Sequence, residues 1–586
     1  MCGIAGLMRP DGDAVGGPGR VKAMAERLRH RGPDAAGEWI GGAVAFGFRR
    51  LAIIDLDGGD QPMVDGPLTV MQNGEIYNYL ELRRELEGLG HRFRTRSDTE
   101  VLLQAYRAWG VVMLGRLRGM FAVALYDGER RRLLLARDRL GQKPLFWSHD
   151  PARGELSFAS GLDALLPALA ERHLDEVALD DFLTFSVVPG PSSILRGVSK
   201  LPPAHYLVAE NGRVGEPRRY WRPPPPAVGK LDEAEAAEGL RRELETSVDI
   251  RLRSDVPVGC FLSGGVDSTL VTGLAARRKP GLSSFTIGFG DPRFDESAVA
   301  RRTAERFGTR HRGESVDAST FSPDGLQALV RFMDEPFGDS SFLPTYWLSR
   351  AARRHVTVAL SGDGGDELFA GYTRYRTFRR LERLARVPSV GLAAAERLLR
   401  PFHRRLAKAS RLARRDALGR ILGLLTYFED TDKKGLLGAD LRGALGGRTS
   451  RETLARQFDD LPRGLSGLDR FLQRDLATSL VDDALVKVDR ASMAASLEVR
   501  SPLLDHRVVE RALEIPAAVK LRGRSSKAIL KRATADLLPE EVRRGAKRGF
   551  EVPFGAWFAR AEWREWLTSI LDPATIRRQG LFEAGA

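Results

Sequence analysis

The chain is poor in cysteine: Cys2 and Cys260 are the only two in 586 residues. Two thiols cannot make a disulfide framework, and the reducing cytoplasm is the expected compartment. There is no CxxC and no HExxH, and the nine histidines are scattered, which argues against a zinc site. No apolar run approaches the length of a membrane span. The first residues also lack the basic-then-apolar layout of a secretion signal. Internal repeats are absent. Acid is in short supply relative to base, 77 Asp and Glu against 91 Lys and Arg, for a formal charge of +14. Much of the excess lies in RYRTFRRLERLARV (374–387) and RPFHRRLAKASRLARRDALGR (400–420). These stretches are helical by period and rich in arginine, a good helix former. No DNA- or RNA-reading motif accompanies them, so the expectation is a solvated basic face, with no nucleic acid and no membrane as partner. Anionic substrates are a second, milder reason for the charge.

What is present is a large soluble chain. An apolar content of 43% and a charged content of 29% are those of globular proteins, and 586 residues exceed one hydrophobic core. Residues 1–205 read as short strands separated by glycine turns, with two or three helices. AVAFGFRRLAIID (43–55) and LTVMQNGEIYN (68–78) are strand-like, and YLELRRELEGLG (79–90) is a helix closed by Gly90. MFAVALYD and RRLLLARD predict a hairpin turning at DGER. This is an α+β pattern. Residues 206–230, with RPPPPAVGK at 222–230, are expected to form a stiff linker. From 231 to 586 the rhythm changes. A helix over 233–252 precedes apolar strands at 256–262, 283–289 and 355–362 with helices between them, and the chain is mostly helical after 374. Such alternation predicts an α/β doubly wound parallel sheet with a helical C-terminal part.

SGGVDS (263–268) lies where the first of these strands meets a helix. Gly264 and Gly265 allow the backbone to approach an anion, and the helix start offers unpaired N–H groups. The loop has no Gly-Lys-Ser/Thr ending, so phosphate transfer of the Walker kind is not indicated. Asp267 within a phosphate cradle would repel its ligand unless a cation stood between them, which points to Mg²⁺. A second loop, SGDGGDE (361–367), follows another strand and brings Asp363, Asp366 and Glu367. Two such loops on one sheet converge on the crevice where open α/β sheets bind ligands. Cys2, directly behind Met1, has two readings on its own residues: an incidental small hydrophobe, or a nucleophile exposed by removal of the methionine.

SGGVDS resembles the pyrophosphate loop of N-type ATP pyrophosphatases. With SGDGGDELFAGY (361–372), KVDRASMAASLEVRSPLLD (487–505) and SSKAIL (525–530), it resembles the synthetase domain of class B asparagine synthetases. The resemblance implies that Ser263, Gly264, Gly265, Ser268, Ser361, Gly362 and Tyr372 hold ATP and its pyrophosphate. It also implies that Asp267 and Asp366 ligate Mg²⁺, and that Asp363 and Lys527 are catalytic. Lys527 alone would be an ordinary helix-surface lysine. The charges Asp489, Arg490, Glu498, Arg500 and Asp505, in what reads as helix followed by a turn at Ser501-Pro502, suit a buried ion network as well as direct contact.

The same family and the class II glutamine amidotransferases begin Cys-Gly-Ile after loss of Met1, with an N-terminal nucleophile sandwich as the implied fold. The α-amine of Cys2 would then act as general base beside its own thiol. Residue by residue, the resemblance makes Arg49 the partner of the glutamine carboxylate. Asn73 and Gly74 become the oxyanion hole, and Glu75 and Asp98 contact the glutamine ammonium. Asn73-Gly74 also favours a tight hairpin turn. RGPD (31–34) and RDRLGQKPLFW (137–147) match further family signatures, the latter expected near a domain interface. The implied enzyme hydrolyses glutamine and passes ammonia internally. It then amidates an ATP-activated carboxylate, by default aspartate, giving AMP, pyrophosphate and glutamate, and a homodimer is implied. Two features separate this chain from that default. Asp363 stands where Gly-Glu-Gly is common, and DEPFGDSSFLPTYWLS (334–349) resembles a bacterial branch that amidates other carboxylates, such as sugar acids. The chain ends at GLFEAGA, where many relatives continue through another helical segment. A β-lactam-synthetase-like ligase without glutaminase chemistry and a non-catalytic basic binding protein are the other readings. Retention of Cys2, Arg49, Asn73 and Asp98 argues against the first, and retention of the motifs of both sites argues against the second.

Overall fold

The computed structural model describes residues 2–9, 11, 19–224, 231–291, 293, 295–316, 322–400, 402–462, 464–545 and 554–585. In the first part, strands β1 (Gly3–Met8), β2 (Ala35–Gly41), β3 (Val44–Arg50), β4 (Met63–Asp65), β5 (Leu68–Ile76), β6 (Gly119–Asp127) and β7 (Arg132–Arg137) come first. They are followed by β8 (Phe146–Asp150), β9 (Glu155–Ala159), β10 (Val198–Lys200), β11 (His205–Glu210), β12 (Arg213–Val214) and β13 (Arg218–Arg219). They form two antiparallel sheets, ordered β10-β8-β9-β1-β3-β2 and β12-β11-β7-β6-β5-β4, with β13 beside β11. Alternation along the strands splits their side chains between two layers. Met71, Ala122, Ala124 and Leu135 meet Ile4, Phe46 and Phe48 between the sheets. Val70, Val123, Leu125 and Leu134 face helices Tyr79–Gly88 and Asp98–Trp109 on the outside. Ala5, Leu7 and Ala45 pack against Val21 and Met24 of helix Gly19–Glu26. The result is a four-layer helix–sheet–sheet–helix sandwich.

Two expectations change here. The chain from 206 onward is not a linker at first: β11 pairs with β7 and β13 pairs with β11, so the sandwich runs to Arg219. Proline at 223–226 pulled the boundary too early, because two-residue strands leave no periodicity to read. The prolines at 225 and 226 and the rest of 225–230 lie outside the described residues. Asn73-Gly74 is not a turn. Both residues sit within β5, paired with Ala122 and Phe121 of β6. The DGER hairpin is present, as β6 and β7.

The second part holds a five-stranded parallel sheet, β16-β15-β14-β17-β18, built from β14 (Val258–Phe261), β15 (Ser283–Phe289), β16 (Arg310–Val316), β17 (Val358–Leu360) and β18 (Glu498–Arg500). Helices cover both faces. Glu233–Arg251 and Val266–Arg278 lie on one side, Phe342–Arg353 and Leu485–Ala494 on the other. Strand order reverses between β14 and β17, which makes their carboxyl ends the switch point of the sheet. β18 corrects a third reading. LEVRSPLLD is not helix and turn but a three-residue strand followed by the 3₁₀ turn Pro502–Leu504. A fully buried parallel strand of three residues carries no alternation to announce it.

Candidate functional sites in two joined domains

Cys2 sits at the mouth of β1, between the two sheets. Its backbone nitrogen donates to Asn73 Oδ1 (3.2 Å), and Asn73 Nδ2 donates to Ser160 Oγ (3.3 Å). Ser160 Oγ also accepts from the Ile4 N–H at 3.1 Å. Ser160 therefore ties the first strand to the asparagine, a role no sequence motif announced. The Cys2 thiol lies 3.9 Å from the Leu51 carbonyl, and burial pushes its pKa up, so a base must remove its proton. Gly74 adopts φ +144°, with the Met120 carbonyl where a Cβ would stand, so no other residue fits there. Arg49 is the register partner of Gly3 and pairs with Glu26. Asp98 accepts from the Ile76 N–H (2.9 Å) and Gln72 Nε2 (2.8 Å), while burial raises its pKa. Burial, Glu498 and Asp98 together hold Glu75 well above the carboxylate range, against the pull of Arg500. All six residues read from the sequence thus fall on one stretch of the sandwich.

The second site opens at the switch point. A cavity of about 840 Å³ is lined by Ser263, Gly264, Gly265, Asp267, Ser268, Ser361, Gly362, Asp363, Asp366, Tyr372 and Lys527, every one of the predicted residues. The SGGVDS loop is shaped by its own serines. Ser263 N–H donates to Ser268 Oγ (3.1 Å), and Gly265 N–H to Ser263 Oγ (3.1 Å). Helix Val266–Arg278 points its N-terminus at the cavity from Gly265. The two loops touch, since a Cβ on Gly362 would stand 2.7 Å from Asp267 Cβ. Lys527 binds both Asp267 and Asp366, the latter at 2.7 Å. Its backbone is in the left-handed region at φ +54°, strain that a lysine accepts only where the surroundings hold it. Those carboxylates raise its pKa against the effect of burial. Asp363 accepts from Ser361 Oγ (2.6 Å), and Ser361 Oγ lies 3.1 Å from Ser501 Oγ. Tyr372 OH donates to Glu367 (2.8 Å), whose pKa is pushed up to about 7 by burial and by Asp366.

The far wall of the cavity was not read from the sequence. It carries Asp339, Asp483, Lys487 and Arg374, with Phe185 and Ser186 supplied by the first domain. Asp483 lies on a π-helical turn, Leu480–Ala484, a distortion frequent at functional sites. Two hard carboxylates, Asp267 and Asp366, beside a phosphate-shaped loop suit Mg²⁺ brought with a nucleotide. No cluster of three or more metal-ligating side chains exists among the described residues, so the protein alone offers an incomplete shell.

The ion network expected in 487–505 joins the two sites. Arg31 of RGPD makes a bidentate pair with Asp489 (2.8 and 3.0 Å), wholly buried, and Lys143 stands 3.4 Å from the same carboxylate. Arg118 and Arg251 converge on Asp505, each at 2.7 Å. Arg500 reaches Glu498 (2.6 Å) and approaches Glu75 (3.6 Å), so β18 links the first site to the second. A cavity of about 10 Å³ lies in this seam, lined by Met120, Lys143, Asp489, Ser492, Val499 and Ser501 among others.

Comparison with known proteins agrees with this division. The glutamine amidotransferase domain model matches residues 1–221, and the asparagine synthase model matches residues 239–586. The chain is 34% identical to asparagine synthetase [glutamine-hydrolyzing] 1 of Bacillus subtilis, over 98% of this chain and 90% of that one. It is 36% identical to a putative asparagine synthetase [glutamine-hydrolyzing] of Mycobacterium tuberculosis, over 97% and 90%. It is 32% identical to asparagine synthetase [glutamine-hydrolyzing] 3 of Bacillus subtilis, over 92% and 85%. With the amidotransferase sandwich at its front and the parallel-sheet domain behind, the chain belongs to the asparagine synthase family.

Proposed function

We propose that this chain is a glutamine-hydrolysing, ATP-dependent amide ligase in which the two sites divide one reaction. Loss of Met1 leaves Cys2 with a free α-amine, which takes the thiol proton as the sulfur attacks the glutamine side-chain amide. Asn73 Nδ2 and the Gly74 N–H receive the developing oxyanion, Arg49 exchanges its partner Glu26 for the substrate carboxylate, and Glu75 and Asp98 face the substrate ammonium. Ammonia leaves, and water releases glutamate from the thioester. The small cavity beside Met120, Val499 and Ser501 has room for one molecule of water size, which suits ammonia in transit.

At the second site the acceptor carboxylate attacks the α-phosphorus of ATP to form an acyl-adenylate. The SGGVDS backbone and Lys527 hold the leaving pyrophosphate, and Asp363 takes a proton as ammonia attacks the acyl carbon. Asp267 and Asp366 would hold Mg²⁺, which supplies neutralising charge to the phosphates when bound. AMP and the amide are then released. The observation that carries this reading is the meeting of both Gly/Asp loops on Lys527 within one cavity. That cavity is tied through Arg500 to the neighbour of Gly74. Aspartate is the acceptor assigned here. A second acceptor, another carboxylate with the same chemistry, is favoured by one observation. Asp363 is a methylene shorter than the glutamate common in the family, and it is turned back onto Ser361.

Pyrophosphate release measured across a panel of carboxylic acids, aspartate included, tests the assignment. Release with aspartate and ammonium supports it. Release only with another acid moves the assignment to that acid, and release with none rejects acyl-adenylate chemistry.

A further inference from the structure

The basic stretch beyond Arg374 serves neither site. Residues 379–415 hold twelve Arg and Lys against two Glu. They fold as the end of helix Thr373–Leu384 and a helical hairpin, Ser389–Leu399 and Arg404–Ala413. Leu392, Leu412 and Ala413 pack onto Leu381 and anchor the hairpin to the body. Its other side is left bare. Val390, Leu398, Phe402 and Leu406 are 79, 72, 81 and 54% exposed. Elsewhere among the described residues, large exposed apolar side chains come singly or as adjacent pairs. Here, with Val387, five fall within residues 387–406.

Cations alternate with these side chains along the chain. Arg397, Arg400, Arg404, Arg405 and Lys408 are all exposed, and among the described residues none of the five is in an ion pair. The ion pairs of the hairpin use other residues, Arg411 and Arg415 with Glu429, and Arg414 with Glu396. A face that met only water would gain nothing by keeping a phenylalanine and two leucines uncovered. A nucleic-acid face would use the cations and leave the aliphatic tip without a partner. An anionic lipid surface uses both, cations on the headgroup phosphates and apolar side chains at the acyl boundary.

We propose that the hairpin 389–413 is a docking surface for an anionic membrane, with Leu398, Phe402 and Leu406 entering the interface and the surrounding Arg and Lys meeting the headgroups. The contact is peripheral and needs no spanning segment; no helix among the described residues is long and apolar enough to cross a membrane. It stands apart from the reaction assigned above, since no residue of the hairpin lines either site.

Cosedimentation with vesicles of mixed phosphatidylglycerol and phosphatidylcholine, and with pure phosphatidylcholine vesicles, tests it on the full chain. Binding to the anionic vesicles, weakened by salt and about tenfold or more above that to the neutral ones, is the expected result. Leu398→Ser with Phe402→Ser, and separately Arg404→Glu with Arg405→Glu, should each lower it by about tenfold. Unchanged glutamine-dependent turnover in solution would show that both variants are folded. Equal binding to both vesicle types, or no loss in either variant, overturns the proposal. So does a wild-type dimer that Phe402→Ser dissociates without any vesicle binding, or duplex DNA bound more tightly than the anionic vesicles.

Discussion

The two sites are built in opposite ways. The first is made mainly from strand positions and is closed: Cys2, Asn73, Glu75 and Asp98 are all under 8% exposed, with Cys2, Asn73 and Asp98 hydrogen-bonded and Glu75 facing Arg500 at 3.6 Å. The second is made from loop ends and is open, an 840 Å³ cavity whose carboxylates crowd around one lysine. Register decides the first. Sliding β5 by one residue against β6 would turn Asn73 away from Cys2. The order of strands decides the second, because only neighbours at a switch point bring their carboxyl-end loops together. The first site is preorganised for a small substrate. The second sets two carboxylates, Asp267 and Asp366, against one lysine at the edge of an open cavity.

The sharpest break of this comparison is Cys2→Ala. Glutamate release should fall by at least about a thousandfold, while pyrophosphate release driven by added ammonium stays within about twofold. Loss of both activities would mean that the sites are not separable. Next is Asp267→Ala, expected to cut ammonium-driven pyrophosphate release by about a hundredfold or more and spare glutamine hydrolysis. Glutamate assayed on the same sample checks that the fold survives.

Arg31→Ala attacks the seam rather than either site. It leaves Asp489 buried with Lys143 alone, and breaking a buried pair in this way costs about 3–5 kcal/mol, read from denaturant midpoints. Glutamate formed per pyrophosphate should also rise, as ammonia escapes; an unchanged ratio would separate the ion network from transfer.

The smallest effect is a pH profile. Burial, together with Asp339, pushes Asp483 up to about 7, so the folded chain keeps a proton there that the unfolded chain releases near pH 4. That proton favours the folded state at low pH, and the benefit is lost as pH rises through about 7. Asp483→Asn should match the wild type in stability near pH 4, gain on it as pH rises from about 4 to 7, and hold a constant advantage above that. A stability difference that does not grow with pH would show that the cavity wall carries no such strain.

Several elements were legible because their signal is local. The hairpin at DGER, strand Ser283–Phe289 and helix Glu233–Arg251 follow from alternation, turn chemistry and period, within a residue of the reading. β18 and the strands after 205 were not legible. Two- and three-residue strands exist only because a neighbour offers them a ladder. The site residues divide in the same way. Gly and Asp loops after apolar strands announce a phosphate crevice, but Ser160, Asp339 and Asp483 carry no local pattern. They matter through what stands opposite them.

By itself the sequence determined a two-domain chain with few thiols, a phosphate loop without Walker chemistry, and a family resemblance that named the residues of both sites. Propensity, composition and motif spacing are properties of short stretches, and these features need nothing more. The tertiary structure decided that Asn73 and Gly74 are strand rather than turn, and that Arg31 of the first domain closes on Asp489 of the second. It also turned a basic stretch into a hairpin with a bare apolar face. Each of these depends on contacts between residues distant in the chain, which burial and ladder pairing select only once the whole fold has formed. Cys2 itself became interpretable only when Asn73, 71 residues away, stood beside it.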